Sequence, residues 1–200
     1  MSIYKAVKPL TLGSGSPRRK DLLQSAGLVF EIKPATCEEP TPTPGQDPED
    51  YAIKMAELKA INVAENNPGT YVLGSDTIVV RDRDILGKPV NREEAYEMVK
   101  SLCGRKHKVI SGCALISPEG EKQSYAVSTE VEFIDFNEAA VRAYAATGEP
   151  DDKAGAYAIQ GQGAFLVKGI SGSYTNVVGL PLARVIESLM DWGVVVAGEG

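Results

Sequence analysis

Apolar positions along the chain follow two periods, and polar punctuation separates them. Residues 71–80, YVLGSDTIVV, are almost continuously apolar and predict a central strand. Residues 9–12 predict a short buried strand, and residues 28–35 a second one. KVISGCALIS at 108–117 and the segment 123–134 flank the turn SPEGEK and predict a hairpin. A late strand is expected at 164–171.

Helical spacing marks the remaining segments. Leu22, Leu23 and Ala26 predict a helix from about Pro17 that stops at Gly27, with proline at the start and glycine past the end. Asp47-Pro48 caps a helix over 48–66. Asn91, with Glu94 three residues on, starts a helix that ends at Gly104. Asn137 caps another that runs to about Thr147, and PLARVIESLMDWG at 181–193 is a closing amphipathic helix. Pro40, Pro42, Pro44 and Pro48 forbid regular structure between the second strand and the second helix. Strands and helices interleave, with one hairpin. The expected class is α/β: one domain over residues 1–200, with a central mixed twisted sheet flanked by helices.

Composition narrows the chemistry. The 200 residues carry 21 Lys and Arg against 27 Asp and Glu, a net charge of −6. Sequence-independent grip on DNA or RNA is therefore disfavoured, and any phosphate must be held by a local basic cluster. Cys37, Cys103 and Cys113 are odd in number and form no C-x-x-C. That argues against a disulfide framework and a thiolate zinc site, and for reduced thiols in the cytoplasm. His107 is the one histidine, so multi-histidine metal sites are excluded. No 18-residue apolar run and no apolar leader are present, so neither a membrane span nor a signal peptide is expected.

Several residues could carry chemistry. Gly13-Ser14-Gly15-Ser16-Pro17-Arg18-Arg19 sits between a strand and a helix start. Helix N–H groups, two hydroxyls and two guanidinium forks there suit an anion, although an ordinary flexible turn has the same composition. The segment is neither a P-loop nor G-x-G-x-x-G. Asp76 lies inside the most apolar strand, where an unpaired carboxylate costs several kcal/mol, so a cation, a metal or a proton is expected beside it. Gly74, two residues before it, admits a close approach by a ligand or a backbone. Lys59 shares a helix face with Met55, Ala56 and Val63, where it either snorkels or aims its charge into a cleft. Lys88 is held in the turn Gly87-Lys88-Pro89. Glu38-Glu39 follow the second strand and suit a hard divalent ion, or a solvated loop. If their segment is a strand, Arg105 and His107 share one face, as a second basic contribution to the phosphates, or His107 is a satisfied structural histidine. Gln160, among the small residues of 152–163, has donors and an acceptor that suit a base edge, or it satisfies backbone groups at a tight loop–helix junction.

Together these segments resemble the Maf family of nucleoside triphosphate pyrophosphatases. The resemblance runs from Leu12 to about Trp192 on seven ordered segments: GSGSPRR at 13–19, Lys59-Ala60, LGSDT at 73–77, GKP at 87–89, GRKHKVISG at 104–112, EPDDKAGAYAIQG at 149–161 and GSYTNVVGLPL at 172–182. It implies an elongated, inosine-triphosphatase-like body with a cleft between two lobes. It implies Asp76 as catalytic base, Ser14, Ser16, Arg18 and Arg19 as phosphate holders, and Lys59 and Lys88 as neutralisers of phosphate charge. Glu39, with Asp76, would hold a divalent metal cation, Mg²⁺. Arg18, Thr77 and Gln160 mark the branch acting on dTTP and UTP; a sister branch takes 7-methyl-GTP. The substrate would be a nucleoside triphosphate, with no nucleic acid or membrane partner and a homodimer as the expected assembly. The rival readings are a non-catalytic nucleotide- or nucleic-acid-binding regulator of cell division, and a phosphotransferase, which the missing P-loop lysine disfavours.

Overall fold

The computed structural model describes residues 3–198. In chain order the elements are β1 (Tyr4–Ala6), β2 (Leu10–Leu12), α1 (Pro17–Ser25), β3 (Glu31–Ile32), α2 (Pro48–Glu65), β4 (Tyr71–Arg81), β5 (Asp84–Leu86), α3 (Arg92–Leu102), β6 (Lys106–Ile116), β7 (Lys122–Phe133), α4 (Glu138–Ala146), three 3₁₀ turns between Glu149 and Leu166, β8 (Val167–Ser171), α5 (Tyr174–Val178), α6 (Leu182–Asp191) and β9 (Val195–Ala197). The main sheet has the order β3-β2-β4-β6-β7-β8, with β5 beside β4. β3-β2-β4 are parallel and the rest antiparallel, so the sheet is mixed, as expected.

The predicted caps hold because their chemistry is local. The Asp47 carboxylate accepts from the N–H groups of Glu49 and Asp50, Asn91 from Glu94, and Asn137 from Ala140. Glu94 accepts from the Val90 N–H at 2.6 Å and so ties down the residue before the cap. Two expectations are corrected. The second strand keeps only two residues, because β3 is an exposed edge with no partner beyond β2. The late strand starts at Val167, since residues 162–166 wind into a 3₁₀ turn. The terminal pair β1–β9 and the short helix α5 were not foreseen; β1 and β9 are three residues each and pair antiparallel across nearly the whole chain.

Alternation along β4 divides the layers. Its even positions meet α2, and the approach is very close. A Cβ on Gly74 would lie 2.4 Å from the Ala56 carbonyl oxygen, and one on Gly112 2.1 Å from that of Ala52. Gly74 therefore serves a helix backbone and not a ligand. Odd positions face two separate apolar clusters. Leu12, Leu23, Leu73, Leu180 and Leu189 fill one end under α1 and α6. Tyr96, Leu102, Phe133, Tyr144 and Leu166 fill the other under α3 and α4. Each fully buried Leu or Phe contributes roughly 1.5–3 kcal/mol, so both lobes are well supported. The cleft opens between them.

Candidate active site

The position of the cleft follows from strand pairing. One edge of β4 is paired with β6 from Val72 to Val80. The other edge meets β2 only at Tyr71–Leu73 and β5 only at Val79–Arg81. β2 ends where the Gly13 N–H donates to the Leu73 carbonyl at 2.8 Å, and the chain then turns away. Residues 74–78 are left with an open edge in the middle of the sheet. Asp76 and Thr77, on opposite faces of the strand, both reach the same cavity of about 420 Å³.

The cavity gathers every residue that the resemblance assigns to the site: Ser14, Ser16, Arg18 and Arg19 from the turn into α1, Glu39, Lys59 from α2, Asp76 and Thr77 from β4, Lys88, and Gln160. Glu38 is not among the lining residues.

Asp76 has the cation its burial demands. The Lys59 ammonium donates to its Oδ1 at 2.7 Å and pairs with Glu39 Oε2 at 2.9 Å. Lys59 and Asp76 are largely buried, with side chains 13% and 14% exposed, whereas Glu39 is half-exposed. Lys59 thus aims its charge into the cleft. It gets there because Ala56 and Ala60 bring α2 down onto Gly74, two residues from Asp76.

Arg19 and Thr77 form a second constellation. The Arg19 guanidinium donates to the Gly179 carbonyl at 2.8 Å, to Ser14 Oγ at 3.0 Å and to Thr77 Oγ1 at 3.1 Å. Thr77 Oγ1 also lies 2.8 Å from Ser111 Oγ and 3.1 Å from the Gly179 oxygen. Burial pushes the Arg19 pKa down, against the opposing field of Asp76. A guanidinium nevertheless stays charged at any working pH. Thr77 is therefore held by protein groups, and Arg19 keeps only part of its donor fork for a ligand. Gly179 closes α5, which Asn176 fastens to the sheet by donating to the Val109 carbonyl and to Thr129 Oγ1, both at 3.0 Å.

Lys88 is exposed at the cavity wall. Gln160 is exposed and also lines the cavity, on the loop that follows the 3₁₀ turn Ala154–Ala156. Gly155 takes a φ of 65° there, and a Cβ on it would lie 2.8 Å from Val79. Asp152 and Lys153, which pair with each other, also line the cavity and were not foreseen. Lys153 stood in the DDKAG run as a cation among small residues, which was the available signal.

Arg105 and His107 do not join the site. Arg105 is exposed and pairs with Asp82 at 2.8 Å. His107 is buried against Phe133 and Tyr157, with Nε2 2.8 Å from the Tyr157 hydroxyl. Burial lowers its pKa to about 4, so it is neutral and structural. The cysteines are free, and burial raises the Cys113 thiol to about 11, far from a thiolate nucleophile.

A divalent ion fits the oxygens at hand. Two carboxylates already converge on one cationic atom, Lys59 Nζ. Among the described residues no group of three or more His, Cys, Asp or Glu could complete an all-protein cage. Mg²⁺ is usually bound by one or two carboxylates together with substrate phosphates, and Asp76 and Glu39 are the two carboxylates within reach. Among the described residues, no helix is long and apolar enough to cross a membrane.

Comparison with known proteins extends the sequence resemblance. A protein of Nitratidesulfovibrio vulgaris named dTTP/UTP pyrophosphatase is 46% identical over 192 residues, covering 96% of this chain and 91% of that one. Proteins of the same name from Desulfotalea psychrophila and Syntrophotalea carbinolica are 46% and 47% identical, covering 96% and 93% of this chain and 99% and 86% of theirs. Among solved structures, a nucleoside-triphosphatase / dITP/XTP pyrophosphatase from Mycobacterium abscessus aligns with a TM-score of 0.42 at 16% identity, over 92% of this chain and 95% of that one. That score is too low to define a shared topology. The family described as Maf-like protein matches residues 9–192. With that match spanning the cleft and both lobes, the chain belongs to the Maf family.

Proposed function

We propose that the protein hydrolyses dTTP, UTP and modified uridine triphosphates to the monophosphate and pyrophosphate, and so cleans the cytoplasmic nucleotide pool. The observation that carries this reading is the convergence of Asp76 with Lys59, Arg18, Arg19 and Lys88 on one open strand edge, in a chain whose relatives bear the dTTP/UTP pyrophosphatase name.

The chemistry follows from the charges. A triphosphate brings three to four negative charges into a chain of net charge −6. The cleft cations offset that repulsion and place the phosphates. Water attacks the α-phosphorus, and the bond from that phosphorus to the bridging oxygen breaks. The bridging oxygen leaves on pyrophosphate, and the water oxygen stays on the monophosphate. Asp76 orients the water and takes its proton. Lys59, already within 2.7 Å of Asp76, sits where attacking and leaving oxygens gather charge. Arg18, Lys88, Ser14 and Ser16 hold the outer phosphates, and the part of the Arg19 fork left free assists them. Mg²⁺ held by Glu39 and Asp76 would supply charge neutralisation at the phosphate oxygens. Gln160 meets the pyrimidine edge, offering both an N–H donor and a carbonyl acceptor.

Incubation with dTTP and Mg²⁺ in ¹⁸O-labelled water tests the reading. The expected products are labelled monophosphate and unlabelled pyrophosphate. Diphosphate and phosphate as products, or no turnover at all, would overturn it.

A further inference from the structure

Gln160 makes no side-chain hydrogen bond to any of the described residues, and it is exposed. Its place is therefore set by the backbone of its loop. That backbone is gripped from outside the cleft by one carboxylate. Glu149 Oε2 accepts from the Gln162 N–H at 2.9 Å, and Oε1 accepts from the Gly163 N–H at 2.8 Å. The Tyr144 hydroxyl donates to the same Oε1 at 3.0 Å and accepts from the Ala158 N–H at 3.3 Å. Gln160 lies midway between the two gripped ends of the loop, Ala158 and Gln162.

The loop is shaped around this grip. Gly161 has a φ of 85°, and a Cβ on it would lie 2.6 Å from Glu149 Oε2. A Cβ on Gly163 would lie 2.5 Å from the Tyr144 hydroxyl. Burial disfavours the Glu149 charge, but the Gln162 and Gly163 N–H groups, the Tyr144 hydroxyl and the Lys153 ammonium outweigh it and hold the pKa below the usual carboxylate range. An ionised carboxylate has only acceptors to offer, and here it meets three donors.

We propose that Glu149, bridged by Tyr144, is the positioning residue for base recognition: it holds the loop from Ala158 to Gly163 so that Gln160 faces the nucleotide base. This rests on the reading of Gln160 as the group that meets the base. It makes Glu149 a determinant of substrate choice that touches neither phosphate nor base. Glu149→Gln is nearly isosteric, but it puts an amide N–H against one of the donors and loosens one side of the loop.

The test compares UTP with ribose 5-triphosphate, which carries the same phosphates and no base. kcat and KM for both are measured in the wild type, Glu149→Gln, Tyr144→Phe, Gln160→Ala and the Glu149→Gln/Gln160→Ala double variant, with melting temperatures alongside. The expected result is a fall of about tenfold in the UTP to ribose 5-triphosphate ratio of kcat/KM for Glu149→Gln, carried by KM for UTP. Ribose 5-triphosphate kinetics stay unchanged, and the double variant is no worse than Gln160→Ala alone. A lower melting temperature with an unchanged ratio would make Glu149 purely structural and overturn the proposal. If Glu149→Gln does not fold, Tyr144→Phe decides: a fall in the ratio supports the proposal, and an unchanged ratio overturns it. A Gln160→Ala variant with the wild-type ratio would instead remove the base reading itself, and the proposal with it. A Gln160→Ala effect without a Glu149→Gln effect would remove the proposal alone.

Discussion

The two ends of the cleft are built differently. At the end proposed to hold the phosphates, Asp76, Thr77, Lys59 and Arg19 hang from an 11-residue strand paired with β6 from Val72 to Val80, an 18-residue helix seated on glycines, and the first turn of α1. Their side chains are tied directly to one another. At the end proposed to meet the base, Gln160 rides a loop between 3₁₀ turns and is held only through its backbone, by Glu149 and Tyr144. Bonds shared among side chains on rigid elements give the fixed geometry that phosphoryl transfer demands. A loop gripped by a few hydrogen bonds can differ between relatives without disturbing that geometry. The chemical step is expected to belong to the first end and the choice of base to the second.

The largest effect expected from breaking the phosphate end is that of Asp76→Asn. The amide keeps the shape but cannot take a proton, so kcat should fall on the order of 10²–10⁴-fold, with nucleotide binding retained. Turnover measured together with the ligand-induced melting shift checks this; near-wild-type kcat would remove Asp76 as the base. Next come Lys59→Ala and Lys88→Ala, each expected to lower kcat/KM by about 2–4 kcal/mol through lost charge at the phosphates. Lys59→Ala should be the worse of the two, because it leaves Asp76 and Glu39 facing each other without their shared cation. Equal losses would mean that the ion triad adds nothing.

Acid should weaken the fold that holds both ends. His107 is held near pKa 4 by burial, against an ordinary value of 6.5. The unfolded chain therefore takes up a proton that the folded chain refuses. Stability is full above about pH 6.5 and declines as pH falls toward 4, by up to about 3 kcal/mol. The His107 partner is Tyr157, the residue that follows the 3₁₀ turn Ala154–Ala156. Unfolding free energies from pH 7 to 4 test this. The decline should be shallower in His107→Phe, and identical slopes would refute the assignment. The smallest effect is Gln160→Glu. A carboxylate facing a pyrimidine carbonyl should lower dTTP turnover about tenfold in kcat/KM and raise 7-methyl-GTP relative to dTTP. An unaltered ratio would end the assignment of Gln160 to the base.

How far each part could be read in advance followed the range of the interactions. The Asp47, Asn91 and Asn137 caps were legible because donor and acceptor lie within three residues. The strand at 71–80 was legible from its apolar run, and the carboxylate within it from the cost of burying charge. Arg18 and Arg19 looked alike in sequence, yet Arg19 is committed to the Gly179 carbonyl, 160 positions away. Arg105 and His107 shared a predicted face; in the structure one pairs outside the cleft and the other is buried in the core. Glu149 stood only as the first residue of the segment EPDDKAGAYAIQG, with no role of its own, because two of its three donors are backbone N–H groups, which no side-chain pattern reports.

Determined by the chain itself, through short-range chemistry, are the types of the elements, most of their ends, and an inventory of cations around one buried carboxylate. Tertiary structure alone decided that β2 pairs with β4 only as far as Leu73 and that β5 ends at Leu86, opposite Val79, so that five residues of β4 keep an open edge. It alone decided that α2 settles on Gly74 and Gly112, carrying Lys59 to Asp76, with Glu39 completing the triad. The reason is physical. Register and close packing depend on which distant surfaces meet, and a β4 side chain reaches the cleft only because its neighbour strands end where they do.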